Sequence, residues 1–285
     1  MNNWLKVREE ERFLDLSDYG RGLSLLLVKV LKDTWVTAHQ VTFTFLLIGL
    51  LAAFFFSRGD YGTTLLGALF LQVKNILDGV DGSLARAKDR PSRIGRFLDT
   101  NADFLVNLCV YFAIAYALFG LTQNHTAFWL GGGALLFGMI QCSTFNYYYV
   151  TYRTITGGDT TSRTDERGST FYKTRFKTAV LFILQKIYLV LYGWQDWLIG
   201  KVIGSVECGM RGAEHRTPNT EFRISKGFLT MVTFLGLGTQ ILFLDLFALL
   251  GRPELFFYFI LGPCNLFWVG LILYRTFSRR FVVKG

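Results

Sequence analysis

Four aspartates, Asp78, Asp81, Asp99 and Asp103, lie in the stretch N-I-L-D-G-V-D-G-S-L-A-R-A-K-D-R-P-S-R-I-G-R-F-L-D-T-N-A-D, which runs from Asn75 to Asp103. Asp78 and Asp81 are three residues apart, so on a helix they share a face, and the small residues Gly82 and Ala85 continue that stripe. Asp99 and Asp103 are four apart, again on one face, with Gly95 one turn earlier. Carboxylates this close cannot all stay ionised without a compensating cation. Oxygen ligands with no neighbouring His or Cys suit Mg²⁺ or Mn²⁺ rather than zinc. A divalent ion held by oxygens, with Arg86 beside it, is apparatus for gripping a diphosphate and neutralising a leaving phosphate. Gly82 and Ala85 would let a flat phosphorylated ligand approach the backbone. A single aspartate at a helix end is commonly a solvated cap, and Asp99 and Asp103 would suit a helix N-terminus. Four on matching faces inside apolar segments favour a functional site.

The elements that carry these residues are membrane spans. Of 285 residues, 51% are hydrophobic and only 18% charged, with a mean hydropathy of +0.33. That composition excludes disorder, collagen-like repeats and a disulfide scaffold. Cys109, Cys142, Cys208 and Cys264 are scattered and read as packed free thiols. The first twenty residues are too charged for a signal peptide. Stretches long enough to cross a bilayer are Val36–Phe56, Thr63 to about Arg86, Phe97–Phe119, Ala127–Val150, Phe228–Leu250 and Glu254–Tyr274. A seventh, Thr178–Ile199, is interrupted by Gln185, Lys186, Gln195 and Asp196. With six spans and an internal N-terminus, 24 of the 30 Lys and Arg residues fall inside and only Arg58 and Arg252 outside. Letting the seventh segment cross destroys that asymmetry.

The expected fold is therefore an all-α polytopic membrane protein of six transmembrane helices. An amphipathic helix over Trp4–Leu31 lies on the cytoplasmic face, and Thr178–Ile199 is interfacial or re-entrant. Residues 1–35 form the N-terminal segment and 36–285 the catalytic domain, with 153–226 as a basic linker. The loop Ala87–Ile94, short and containing Pro91, turns the second and third spans into an antiparallel hairpin, so the four carboxylates converge at the cytoplasmic surface. The net charge of +9 follows the positive-inside pattern and implies no nucleic-acid partner.

The pattern resembles the signature of the CDP-alcohol phosphotransferase (phosphatidyltransferase) family, D-x-x-D-G-x-x-A-R, eight residues, then G-x-x-x-D-x-x-x-D. Asp78, Asp81, Gly82, Ala85, Arg86, Gly95, Asp99 and Asp103 fill its eight fixed positions, with the gap Ala87–Ile94 intact. A weaker echo of T-P-N-x-x-T lies at Thr37–Thr42, where Ala38 and His39 replace the Pro and Asn; His39 reads as an interfacial residue. The resemblance implies that Asp78, Asp81 and Asp99 hold two Mg²⁺ or Mn²⁺ ions and that Asp103 completes the second site. It further implies that Asp103 is the general base, that Arg86 steadies the diphosphate, and that Gly82, Ala85 and Gly95 make room for cytidine. CDP-diacylglycerol or a related CDP-linked lipid would be the donor, a polar alcohol the acceptor, CMP the leaving group and a homodimer the assembly. The alternative is transfer from a CDP-choline or CDP-ethanolamine donor to diacylglycerol.

Polar residues expected to face the same cavity, and so to meet the acceptor, are Lys74, Asn75, Asn107, Gln141, Asn146, Tyr147 and Arg153. The basic segments Arg153–Lys177 and Arg211–Arg223 could bind an anionic acceptor or attract anionic lipid. Gly131–Gly133 and Gly138 allow close helix contact, within a subunit or between two. An aspartate-rich prenyltransferase would need a second carboxylate cluster on another helix pair. A divalent-cation transporter would need acidic residues continuing through the spans at the midplane, and the third to sixth spans are almost free of charge beyond Asp103 except Asp245.

Overall fold

The computed structural model describes residues 7, 9–158, 166, 174–208 and 224–282. Among them every element is helical: α1 (Arg21–Leu31), α2 (Ala38–Phe56), α3 (Tyr61–Ala87), α4 (Arg93–Thr122), α5 (Thr126–Ile155), α6 (Arg175–Leu191), α7 (Gly193–Cys208), α8 (Lys226–Thr233), α9 (Leu237–Leu249), α10 (Leu255–Phe259) and α11 (Asn265–Val282). The segment Arg211–Arg223, and most of Arg153–Lys177 beyond Gly158, lie outside the described residues.

Local chemistry sets the helix starts. Thr37 caps α2 through a reciprocal box with Gln40, whose side chain accepts from the Thr37 N–H at 2.8 Å. Asp60 caps α3 by accepting from Thr63 N, and Ser92 caps α4 by accepting from Gly95 N, both at 3.0 Å. Asp89 ends α3 in the left-handed conformation (φ 51°), and Arg90 N bonds back to Ala85 O at 2.8 Å. Lys88 ties this turn to the one preceding α2, donating to Thr34 O and Val36 O.

α2, α4, α5 and the helical stretch Leu255–Phe277 are each long and apolar enough to span a bilayer. Two bent pairs, α6–α7 (55°) and α8–α9 (43°), bring the number to six if each counts as one span. α3 is 27 residues long, about 40 Å of helix. It stands outside that set because Gln72, Lys74, Asn75, Asp78, Asp81 and Arg86 interrupt its apolar surface. The expected straight span Phe228–Leu250 is broken at Phe234–Gly236. The segment Thr178–Ile199, expected to be interfacial or re-entrant, is likewise a bent pair, its break at Tyr192. A π-turn over Ile260–Cys264 precedes α11, where Pro263 cannot supply a backbone donor.

α2 packs against α3 and α4, and Phe56, Leu71, Val106, Val110, Ile114, Phe256 and Phe257 form the largest buried cluster. Gly131 packs α5 against Ala115 and Phe257, and Gly138 fits between Tyr111 and Gln240, so two of the glycines in that span serve contacts inside one chain. Glu166 is buried between two guanidiniums, at 2.7 Å from Arg93 Nη2 and 3.1 Å from Arg96 Nη1, while Gln185 donates to its carbonyl. Cys109, Cys142 and Cys264 are free thiols.

The N-terminal segment departs from expectation. Instead of one helix over Trp4–Leu31, 3₁₀ turns at Glu9–Glu11 and Leu16–Asp18 precede the eleven-residue α1. The Asp15 carboxylate accepts from both the N–H and Oγ of Ser17, a local bond that competes with helix. Burial raises the proton affinity of this carboxyl above the usual carboxylate range. α1 keeps an exposed apolar face (Leu23, Leu26, Leu27, Val30), while Ser24 is buried on α3 and donates to Ile76 O at 2.8 Å. A Cβ at Gly79 would lie 2.7 Å from Ser24 Oγ, so this glycine next to Asp78 permits the α1–α3 contact.

Candidate active site

The motif residues occupy the C-terminal half of α3 and the first turns of α4. α4 begins at Arg93, four residues ahead of the expected Phe97, so Asp99 stands on its second turn and Asp103 on its third. Asp78, Asp99 and Asp103 each present a carboxylate oxygen, and the three oxygens lie within 4.8 Å of one another. The other oxygen story belongs to Asp81, which is buried and accepts from Thr42 Oγ1 of α2 at 2.6 Å. Of the four expected metal ligands, Asp78, Asp99 and Asp103 form this group, and Asp81 is held by Thr42. Thr42 closes the T-P-N-x-x-T echo, the one signal in the sequence that points to it.

Among the described residues, Asp99 Oδ1 is buried with no hydrogen-bond donor. An ionised oxygen in that state is costly, and two further carboxylates beside it raise the cost. The donor set fits a hard divalent cation: three carboxylates, one with an orphaned buried oxygen, and no His or Cys in the group.

All eight motif positions line one cavity of about 1200 Å³. Asn75, Asn107, Asn146, Tyr147 and Arg153 line it too, as expected for acceptor contacts. Lys74 and Gln141 do not. Gln141 is fully buried, donating to Ile260 O and Asn265 Oδ1, and Lys74 is fully buried in an ion pair with Asp103. Arg86 faces the cavity, its Nη2 donating to Ser83 Oγ at 3.3 Å. A Cβ at Gly82 would meet this guanidinium at 3.5 Å, and one at Gly95 would crowd Ser92 Oγ and His39 Cε1 at 3.2 and 3.3 Å. Gly95 thus makes room for the α4 cap and for His39, which itself lines the cavity.

A wall of the cavity also comes from the N-terminal segment: Asp15, Ser17, Asp18, Gly20 and Arg21. Tyr19 fastens this segment to α3, donating to Gln72 Oε1 at 2.8 Å and accepting from Asn75 Nδ2 at 3.0 Å. Gln72 in turn donates to Asp245 of α9. Asp245, inside α9, thus belongs to an interhelical network.

Residues 35–207 match the CDP-alcohol phosphatidyltransferase family. Similar proteins include an archaetidylinositol phosphate synthase of Pyrococcus horikoshii, 33% identical over 114 residues that cover 40% of this chain and 58% of that protein. A bifunctional IPC transferase and DIPP synthase of Aquifex aeolicus is 34% identical over 99 residues, covering 35% of this chain and 22% of that one. The inner membrane protein YnjF of Escherichia coli is 35% identical over 113 residues, covering 40% and 50%. The matched stretch spans less than two thirds of each relative. With the match to residues 35–207 extending over more than half of its length, the chain belongs to the CDP-alcohol phosphatidyltransferase family.

Proposed function

We propose that this membrane protein transfers a phosphatidyl group, or its archaetidyl counterpart, from a CDP-linked lipid to the hydroxyl of a polar alcohol, releasing CMP. The observation that carries the reading is the convergence of Asp78, Asp99 and Asp103, one with an orphaned buried oxygen, on a cavity lined by all eight motif positions. These three residues would hold Mg²⁺ or Mn²⁺. Asp81 would join them to complete two ions, with Thr42 fixing one of its oxygens. Bound divalent cations supply positive charge against the donor diphosphate.

The chain's own groups do the rest. Arg86 pairs with diphosphate oxygens and stabilises the charge that develops on departing CMP. Asp103, whose Oδ1 is held by Lys74, accepts the acceptor hydroxyl's proton. The acceptor oxygen bonds to the lipid-bearing phosphorus as the bond to CMP breaks. One relative is named for archaetidylinositol phosphate, which puts inositol phosphate first among acceptors, and Arg153 on the cavity wall suits an anion. The charge asymmetry of the loops supports a cytoplasmic opening. A homodimer is proposed on the family resemblance alone.

The test is CMP release by the purified full-length protein in detergent, with CDP-diacylglycerol across an acceptor panel, with and without EDTA. Release with one acceptor, abolished by EDTA and restored by Mg²⁺ or Mn²⁺, is expected. No release with any acceptor overturns the reading, and release only from CDP-choline or CDP-ethanolamine onto diacylglycerol replaces it with headgroup transfer.

Thr42→Val keeps the shape but removes the hydroxyl that donates to Asp81 Oδ2, and should lower kcat roughly tenfold, the scale of a lost supporting bond to a metal ligand. Thr42→Ser should restore most of it. Equal rates for wild type and Thr42→Val would show that Asp81 needs no such anchor.

A further inference from the structure

Lys74 is a charged side chain next to the carboxylates that makes no contact with substrate in the proposed reaction. It sits one turn before Asp78 and two before Asp81 on the same stripe of α3. Its side chain is fully buried and does not line the cavity, so it cannot touch a substrate held there. Its ammonium reaches across to Asp103 Oδ1 of α4 and lies 4.9 Å from the centre of the Phe45 ring of α2. Three helices therefore meet on one buried positive charge. An unpaired ammonium at membrane depth is costly, as is a carboxylate crowded by Asp78 and Asp99, and each relieves the other.

We infer that Lys74 is a positioning residue: a built-in cation that pins Asp103 Oδ1 and lowers the negative charge of the Asp78–Asp99–Asp103 cluster. The inference rests on the proposed reading that this cluster holds a divalent cation. Two consequences follow with opposite signs. Without Lys74, Asp103 loses its fixed orientation and turnover falls. At the same time the cluster becomes more negative, and a divalent cation binds more tightly. A residue that merely fills space would not move the two in opposite directions.

Lys74→Met keeps an unbranched side chain and removes the charge. Mn²⁺ binding to the full-length protein, followed by electron paramagnetic resonance, should tighten about tenfold, while kcat falls by a similar factor and KM for the CDP-linked donor is unchanged. Lys74→Arg should keep wild-type Mn²⁺ affinity. Unchanged or weaker Mn²⁺ binding in folded Lys74→Met overturns the inference, as does a wild-type kcat. Should Lys74→Met fail to fold because Asp103 loses its ammonium partner, the comparison passes to Lys74→Met/Asp103→Asn against Asp103→Asn, in both of which that carboxylate is gone. The double variant should bind Mn²⁺ about tenfold more tightly than the single one, and equal affinities overturn the inference. A wild-type protein that binds no Mn²⁺ refutes the metal reading itself, an outcome separate from any difference among the variants.

Discussion

Asp99→Asn is expected to lower metal-dependent CMP release by roughly a thousandfold, the upper range for losing one group that stabilises transition-state charge. The substitution is nearly isosteric, so the fold of α4 should survive it. What changes is the oxygen that has no donor in the buried cluster, Asp99 Oδ1. A neutral amide there removes one negative charge from three oxygens that lie within 4.8 Å, and with it most of the attraction for a divalent ion. Asp78→Asn should behave alike, and Asp81→Asn should also abolish turnover, with the ion requirement shifted to higher concentration. Asp89→Asn is the control. Asp89 is exposed and holds φ at 51°, a conformation that Asn adopts as readily as Asp, so activity should stay near wild type. Initial rates against Mn²⁺ concentration separate the cases. Near-normal turnover in Asp81→Asn would remove that residue from the metal site, and near-normal turnover in Asp99→Asn would remove the site.

The carboxylate hairpin was readable because its determinants are local. Spacings of three and four place Asp78 with Asp81 and Asp99 with Asp103 on helix faces, and Pro91 with Ser92 sets the turn and the cap between them. The remaining parts of the site depend on partners distant in sequence. Thr42 meets Asp81 across 39 residues, and Lys74 meets Asp103 across 29. The stripe of Lys74, Asp78 and Asp81 could be read from the sequence, but the helix it faces could not. Scanning for apolar length also averages over breaks, which is why Phe228–Leu250 read as one span although Gly236 marks the bend. The N-terminal segment has the periodicity of an amphipathic helix, yet the Asp15–Ser17 turn and the contacts it makes with distant helices decide its course.

Those contacts make Gly238→Ala the second substitution of large expected effect, although Gly238 is outside the motif. A Cβ at this position would stand 1.8 Å from Ser17 O and 2.8 Å from Ser17 C, backbone atoms that no rotamer change can move aside. Gly236 is almost as tight, with a Cβ 2.5 Å from Ser17 Cβ. The break between α8 and α9 is thus a seat for the turn Leu16–Asp18, which is further held by the bond from Leu16 N to Thr233 Oγ1 at 3.1 Å. Alanine at 238 has to push that turn off its seat. The steric term should cost about 2–3 kcal/mol, read as a lower melting temperature and faster proteolysis ahead of α1. The effect should reach catalysis because Asp15, Asp18 and Arg21 line the same cavity as the aspartates. A loss of at least about tenfold in CMP release is expected with all eight motif residues intact, the scale seen when a supporting wall of a site is displaced. Gly132→Ala, where a Cβ would meet nothing within 4 Å, should leave both readings within about 0.5 kcal/mol of wild type. If Gly238→Ala melts and turns over like wild type, the segment does not need this seat. The wall it contributes would then be dispensable, and the N-terminal residues would act only through the apolar face of α1 at the membrane surface.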